Sequence, residues 1–127
     1  MDRCAPILET RGLCREFRAG GEAVRVLRDL DLAIPRGSLT MLTGRSGSGK
    51  TTLLNLLGAL DRPTSGQVRF DGLDIAGLSE SRRDRLRRQR MGFVFQSIAL
   101  VAAMTAYENV DFGLRVAGFD PRRRRDR

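Results

Sequence analysis

The chain has 127 residues and a formal net charge of +8, long enough to bury a core as one modest domain or as part of a larger one. It has no histidine, and Cys4 and Cys14 stand at a spacing that matches no structural zinc pattern, so two free thiols in a reducing compartment are expected. The N-terminus lacks the apolar run of a secretory signal, and IALVAAM, the longest apolar run, falls far short of the ~20 residues that span a bilayer.

The charge is uneven. Residues 1–81 carry eleven basic and ten acidic groups, whereas residues 82–127 carry twelve and five. The first part reads as ordinary globular surface; the second favours anions, nucleic acid or acidic lipid heads.

ILETRGL (7–13) and CREF (14–17) read as strand material around a glycine, and RAGGEA (18–23) as a turn. In LRDLDLAIP, Leu30, Leu32 and Ile34 alternate with polar or small residues, which predicts a strand with one buried face. LTMLTG (39–44) is apolar or threonine throughout, as expected of a strand buried on both faces of a parallel sheet. TTLLNLLGAL (51–60) spaces its leucines helically. DRPTSG is a turn, and QVRFDGLDI puts Val68 and Phe70 on one face before an Asp-Gly turn. SESRRDRLRRQR (79–90) is an arginine-dense helical segment and MGFVFQ (91–96) a second short buried strand. SIALVAAM leads into a helix over TAYENVDFGLRVAG (105–118), and FDPRRRRDR shows no pattern.

GRSGSGKT fits G-x-x-x-x-G-K-[ST] with Gly44, Gly49, Lys50 and Thr51 at the fixed positions, between a strand and a helix start. Glycines let a loop wrap a phosphate so closely that its amides turn inward. The helix that follows aims unpaired N–H groups and a positive dipole end at the anion, and the Thr51 hydroxyl can meet Mg²⁺. Lys50 is the only lysine beside twenty-two arginines. A compact ammonium suits a loop cinched around phosphate, where a planar guanidinium has no room.

TGRSGSGKTTLLNLLGALDRPTSGQVRFDG, then RMGFVFQ, then TAYENV resembles the ATP-binding subunit of an ABC transporter, in the subfamily that energises lipoprotein release, macrolide export and antimicrobial-peptide export. The resemblance runs from about Ile7 to about Gly118. It implies an α/β P-loop NTPase core with an N-terminal antiparallel β subdomain, the later strands and helical subdomain being truncated. Residues 1–118 are then a partial nucleotide-binding domain and 119–127 a basic disordered tail. By resemblance, Gly44, Ser46, Gly47, Ser48, Gly49, Lys50, Thr51 and Thr52 bind the phosphates of ATP. Gln96 touches Mg²⁺ with Thr51 and senses the attacking water and the membrane partner, and Phe17 stacks on adenine. The cofactors implied are ATP and Mg²⁺. The partners implied are a transmembrane permease and, if the full domain exists, a second nucleotide-binding subunit. The location implied is cytoplasmic, at the inner face of the plasma membrane.

The family also has a glycine-paired signature, a Walker B strand ending in Asp-Glu and a switch histidine. GLSES (77–81) lacks the glycine pair and precedes Gln96, LLGALD (56–61) sits on the helix after the loop, and histidine is absent. Nucleotide binding with negligible hydrolysis by these residues alone is expected, because water attack needs positioning and charge stabilisation around the γ-phosphate. A truncated, frameshifted or split gene product is the further expectation, checked by reading the DNA downstream of Arg127.

The rival reading is an arginine-rich protein for nucleic acid or anionic membrane surfaces, resting on RRDRLRRQR and RRRRDR. The first run lacks interleaved aromatics for base stacking, and its arginines cover too many helical faces for an amphipathic anchor, so a solvated helix is the plainer account. A GTPase would carry N-K-x-D, which a chain whose single lysine is Lys50 does not contain.

Overall fold

The alternating residues between Leu8 and Ile34 fold into a long antiparallel hairpin, β1 (Leu8–Ala19) and β2 (Glu22–Ile34), closed by the two glycines at 20 and 21. β1 also pairs with β3 (Ser65–Phe70), which turns at Asp71–Gly72 into the short β4 (Leu73–Asp74). The resulting antiparallel sheet has the order β2-β1-β3-β4. The computed structural model describes residues 5–96 and 100–120. These fall into two compact units that divide between Ser79 and Glu80.

Within the first unit the ladder is bent by three irregularities. Arg11 and Gly12 together face Asp31, whose carboxylate accepts the Gly12 amide at 2.6 Å. Arg28 and Asp29 face Cys14, whose Sγ accepts the Asp29 amide at 3.2 Å. Val26 is an extra residue between the pairs Arg15–Leu27 and Glu16–Arg25. Each bulge re-aims side chains and sharpens the twist. Gly66 opens β3 against the first bulge, with φ of +86° and so little room that a Cβ would lie 2.2 Å from the Gly12 carbonyl oxygen. Only glycine meets both conditions there.

The core forms where the sheet receives a helix. α1 (Lys50–Leu57) buries Leu53, Leu56 and Leu57, the i, i+3, i+4 stripe of an amphipathic helix, while Leu54 stays exposed. Leu13, Leu27, Ala59, Val68, Phe70 and Ile75 complete this core. Thr10 is buried with them because its hydroxyl donates to the Leu30 carbonyl at 2.8 Å.

In the second unit, α2 (Glu80–Arg90) partly neutralises its own arginines. Glu80 accepts from Arg83 at 3.1 Å and from Arg87 at 3.3 Å, and Arg87 also pairs with Asp84. Most of α2 is solvated or half-buried, as expected of a solvated helix face, and Arg83 alone among its residues is buried. α3 (Ala106–Val116) begins with a capping box. The Thr105 hydroxyl accepts the Glu108 amide, and the Glu108 carboxylate accepts the Thr105 amide at 2.7 Å. Asn109 braces the approach to this helix by accepting the Val101 amide and donating to the carbonyls of Val101 and Met104.

Two expected strands are absent. Residues 39–44 and 91–96 carry no ladder pairing. Leu39, Met41, Val94 and Phe95 lie exposed, and Phe93 and Phe95 stack on each other at 6.0 Å. The reason is physical: a strand buried on both faces needs a neighbour on each edge, and none of the described strands pairs with either segment. Cys4, residues 97–99 of SIALVAAM and most of the basic tail, 121–127, lie outside the described residues. Cys14 is a free thiol. Among the described residues no helix is long and apolar enough to cross a membrane.

Candidate nucleotide-binding site

The loop between β2 and α1 is built by its glycines and closed by its lysine. The turn at Ser46–Gly47 forms its crest, the Ser48 amide donates to the Arg45 carbonyl at 3.2 Å, and Gly49 caps α1 with φ of +90°. A Cβ on Gly49 would press against Leu27 Cδ2 and Val26 Cγ1, both at 3.1 Å, so both the backbone conformation and the space select glycine. The bulge at Val26 is what brings these two neighbouring side chains to one place beneath the loop.

The helix end is left electropositive. Gly49 has no side chain to satisfy the first amides, and the first turn of α1 holds no acidic residue. Lys50, half-buried at the first helical position, folds its ammonium back into the loop. It donates to the Gly44 carbonyl at 2.8 Å, the Arg45 carbonyl at 2.7 Å and the Ser48 hydroxyl at 3.3 Å. All three of its donors thus engage dipoles rather than a carboxylate. Thr51 is exposed at the same helix end and Thr52 half-buried. Converging amides, an ammonium and a hydroxyl can hold a terminal phosphate and an associated divalent cation. Among the described residues no cluster of three acidic or thiol side chains could hold a metal unaided.

Phe17 lies on β1 opposite Val24, with 39% of its surface exposed. Arg15 and Phe17 alternate onto one face, and Arg15 pairs with Leu27, which abuts Gly49. Phe17 therefore shares a sheet face with the side chains beneath the loop, about 7 Å along the strand from Arg15. The Arg15 guanidinium sits over the Phe17 ring, 4.4 Å from its centroid, and is held by Asp61, just beyond α1, at 2.9 Å. Arg15 and Asp61 formed no part of the expected site, although the period-two spacing of Arg15 from Phe17 is a usable sign. Gln96 belongs to the second unit, exposed at the end of the irregular segment 91–95.

Comparison with known proteins identifies relatives of the chain. A macrolide export ATP-binding/permease protein, MacB, of Azoarcus sp. strain BH72 is 46% identical over 122 residues, 96% of this chain and 19% of the relative. Its counterpart in Paracoccus denitrificans strain Pd 1222 is 45% identical over 125 residues, 97% of this chain and 19% of the relative. A dimeric ATP-binding cassette solved in a post-hydrolysis state with ADP and Pi superposes with a TM-score of 0.85 at 33% identity, covering 94% of this chain and 53% of that one. The chain therefore spans about a fifth of the curated relatives' length and about half of the solved cassette's. The family model described as ABC transporter matches residues 27–127. With a glycine-built loop closing on Lys50 over an antiparallel sheet, the chain belongs to the ABC transporter family and corresponds to the N-terminal part of its ATP-binding cassette.

Proposed function

We propose that the chain binds Mg-ATP through residues 44–52 as the energising component of a transporter. The observation that carries this reading is the Lys50 ammonium, held by three loop acceptors at a helix end without acidic residues. Amides of Gly47 to Thr52 would receive the phosphate oxygens, Lys50 would contact the terminal phosphates, and the Thr51 hydroxyl would hold Mg²⁺. The metal supplies positive charge to the phosphate oxygens. Phe17 would carry the adenine on its exposed ring, and Gln96 would act as a sensor of metal and water.

The relatives are ATP-binding/permease proteins by name, which supports a membrane-embedded permease as partner and a position at the cytoplasmic face of the membrane. The solved relative is dimeric, which supports a second cassette across the nucleotide. Because these residues hold the cradle without a general base or switch histidine, they bind nucleotide and turn it over negligibly by themselves.

Calorimetric titration of the full chain with Mg-ATP tests the reading. A saturable heat that disappears in Lys50→Ala is expected, since one charge-assisted contact to phosphate is worth about 1.5–3 kcal/mol, roughly tenfold to a hundredfold in affinity. A folded sample giving no heat, or Lys50→Ala binding as tightly as wild type, overturns it.

A further inference from the structure

We propose that Arg15 is a positioning residue for the nucleobase. It fixes the Phe17 ring as a stacking platform and ties that platform, through Asp61, to the end of the phosphate-loop helix. The inference rests on the nucleotide-binding reading above and adds residues that the phosphate-loop pattern does not contain.

The geometry points to this in three ways. The Arg15 guanidinium lies 4.4 Å from the Phe17 ring centroid, within cation–π range, and so covers one face of the ring while 39% of Phe17 remains exposed. Its terminal nitrogen Nη2 meets both carboxylate oxygens of Asp61, at 3.0 and 2.9 Å, across forty-six residues of sequence. Its Nε is buried without a hydrogen-bond partner among the described residues. An arginine that served only the ion pair would be expected to turn Nε toward an acceptor or water. Here the ring and Asp61 together decide the orientation of the guanidinium.

Two consequences follow for a base. A half-exposed phenylalanine ring near the turn end of a hairpin would otherwise sample rotamers, and fixing it beforehand removes part of the entropy lost on stacking. A cation on one face also draws π-electron density toward itself, which leaves the opposite face better suited to an electron-rich purine. Asp61 follows the Gly58 C-cap of α1 by three residues. The helix that presents the phosphate-binding amides and the strand that presents the base platform are therefore joined by one half-buried ion pair.

The test compares Mg-ATP with Mg-tripolyphosphate, which has the phosphates and no base, by calorimetry on the full chain. Wild type is expected to bind Mg-ATP more tightly. Arg15→Ala is expected to lose about threefold to tenfold in Mg-ATP affinity and to keep its Mg-tripolyphosphate affinity. Arg15→Lys should recover most of the loss, and Arg15→Ala should cost nothing further in a Phe17→Leu background. Equal loss for both ligands makes Arg15 merely structural and overturns the proposal, as does unchanged Mg-ATP binding or a full loss that persists without Phe17. If Arg15→Ala loses its far-UV dichroism, Arg15→Gln, which keeps bulk without charge, is judged by the same criteria. A wild type that binds both ligands equally overturns the base platform and leaves the phosphate loop standing; one that binds neither overturns both.

Discussion

Lys50 and Phe17 illustrate two ways in which one side chain is committed by its surroundings. The Lys50 ammonium fits among two carbonyls and a hydroxyl at 2.7–3.3 Å, a pocket shaped for a small tetrahedral donor. Arginine keeps the charge and changes the shape. Lys50→Arg is therefore expected to lower Mg-ATP affinity by about tenfold or more while leaving the thermal melt near wild type, which parallel calorimetry and dichroism will show. Phe17 was legible as an aromatic in strand material, but the arginine above it was recognisable only through the strand's period of two. Asp61 was not legible at all, because no local pattern links residues forty-six apart. Phosphate-loop chemistry can be read from a nonapeptide; the support of a base platform depends on tertiary contact.

Among the secondary elements, the tightest constraint is the crossing of β1 and β3. Gly66→Ala would place a methyl group against backbone at a left-handed residue, where neither strand has a side chain to move aside. The expected cost is about 3 kcal/mol, enough to lower Tm by roughly 15 °C. Gly77→Ala, where a Cβ meets nothing within 4 Å, serves as the unaffected control in the same melts. The cap of α3 carries a pH signature. The Thr105 amide, followed by the Thr105 hydroxyl, holds the Glu108 carboxyl below its ordinary value of 4.5. A group whose folded value is depressed stabilises the fold above its unfolded value, and that contribution disappears as the pH falls through the folded value. The stability difference between wild type and Glu108→Gln should therefore be constant above about pH 5 and vanish on further acidification, as chemical denaturation at a series of pH values will read. The helix after Thr105, the hairpin strands and α1 were visible in the sequence, because their determinants are near neighbours in the chain. The segments 39–44 and 91–96 show the reverse. Their apolar composition correctly signals a need for burial, but strand pairing is a property of two segments, and neither has a partner among the described strands.

For the molecule at large, those two segments set its solution behaviour. Leu39, Met41 and Val94 are largely exposed, in segments that carry no ladder pairing. Such segments invite pairing between copies. Light scattering of the chain is expected to rise with concentration, and Val94→Lys is expected to suppress that rise without shifting the melt, since Val94 contributes nothing to the buried core. In the arginine-rich half, α2 turns Glu80 and Asp84 onto two of its own guanidinium groups, those of Arg83 and Arg87.

The engagement of Lys50 has a practical corollary. Its positive charge faces peptide dipoles and one hydroxyl, with no acidic counterpart among the described residues. Any small oxyanion in the medium is then a competitor. Titrations in sulfate or phosphate buffers would report a weaker nucleotide than titrations in a bulky organic buffer, and the discrepancy itself would measure how open the loop is to its surroundings.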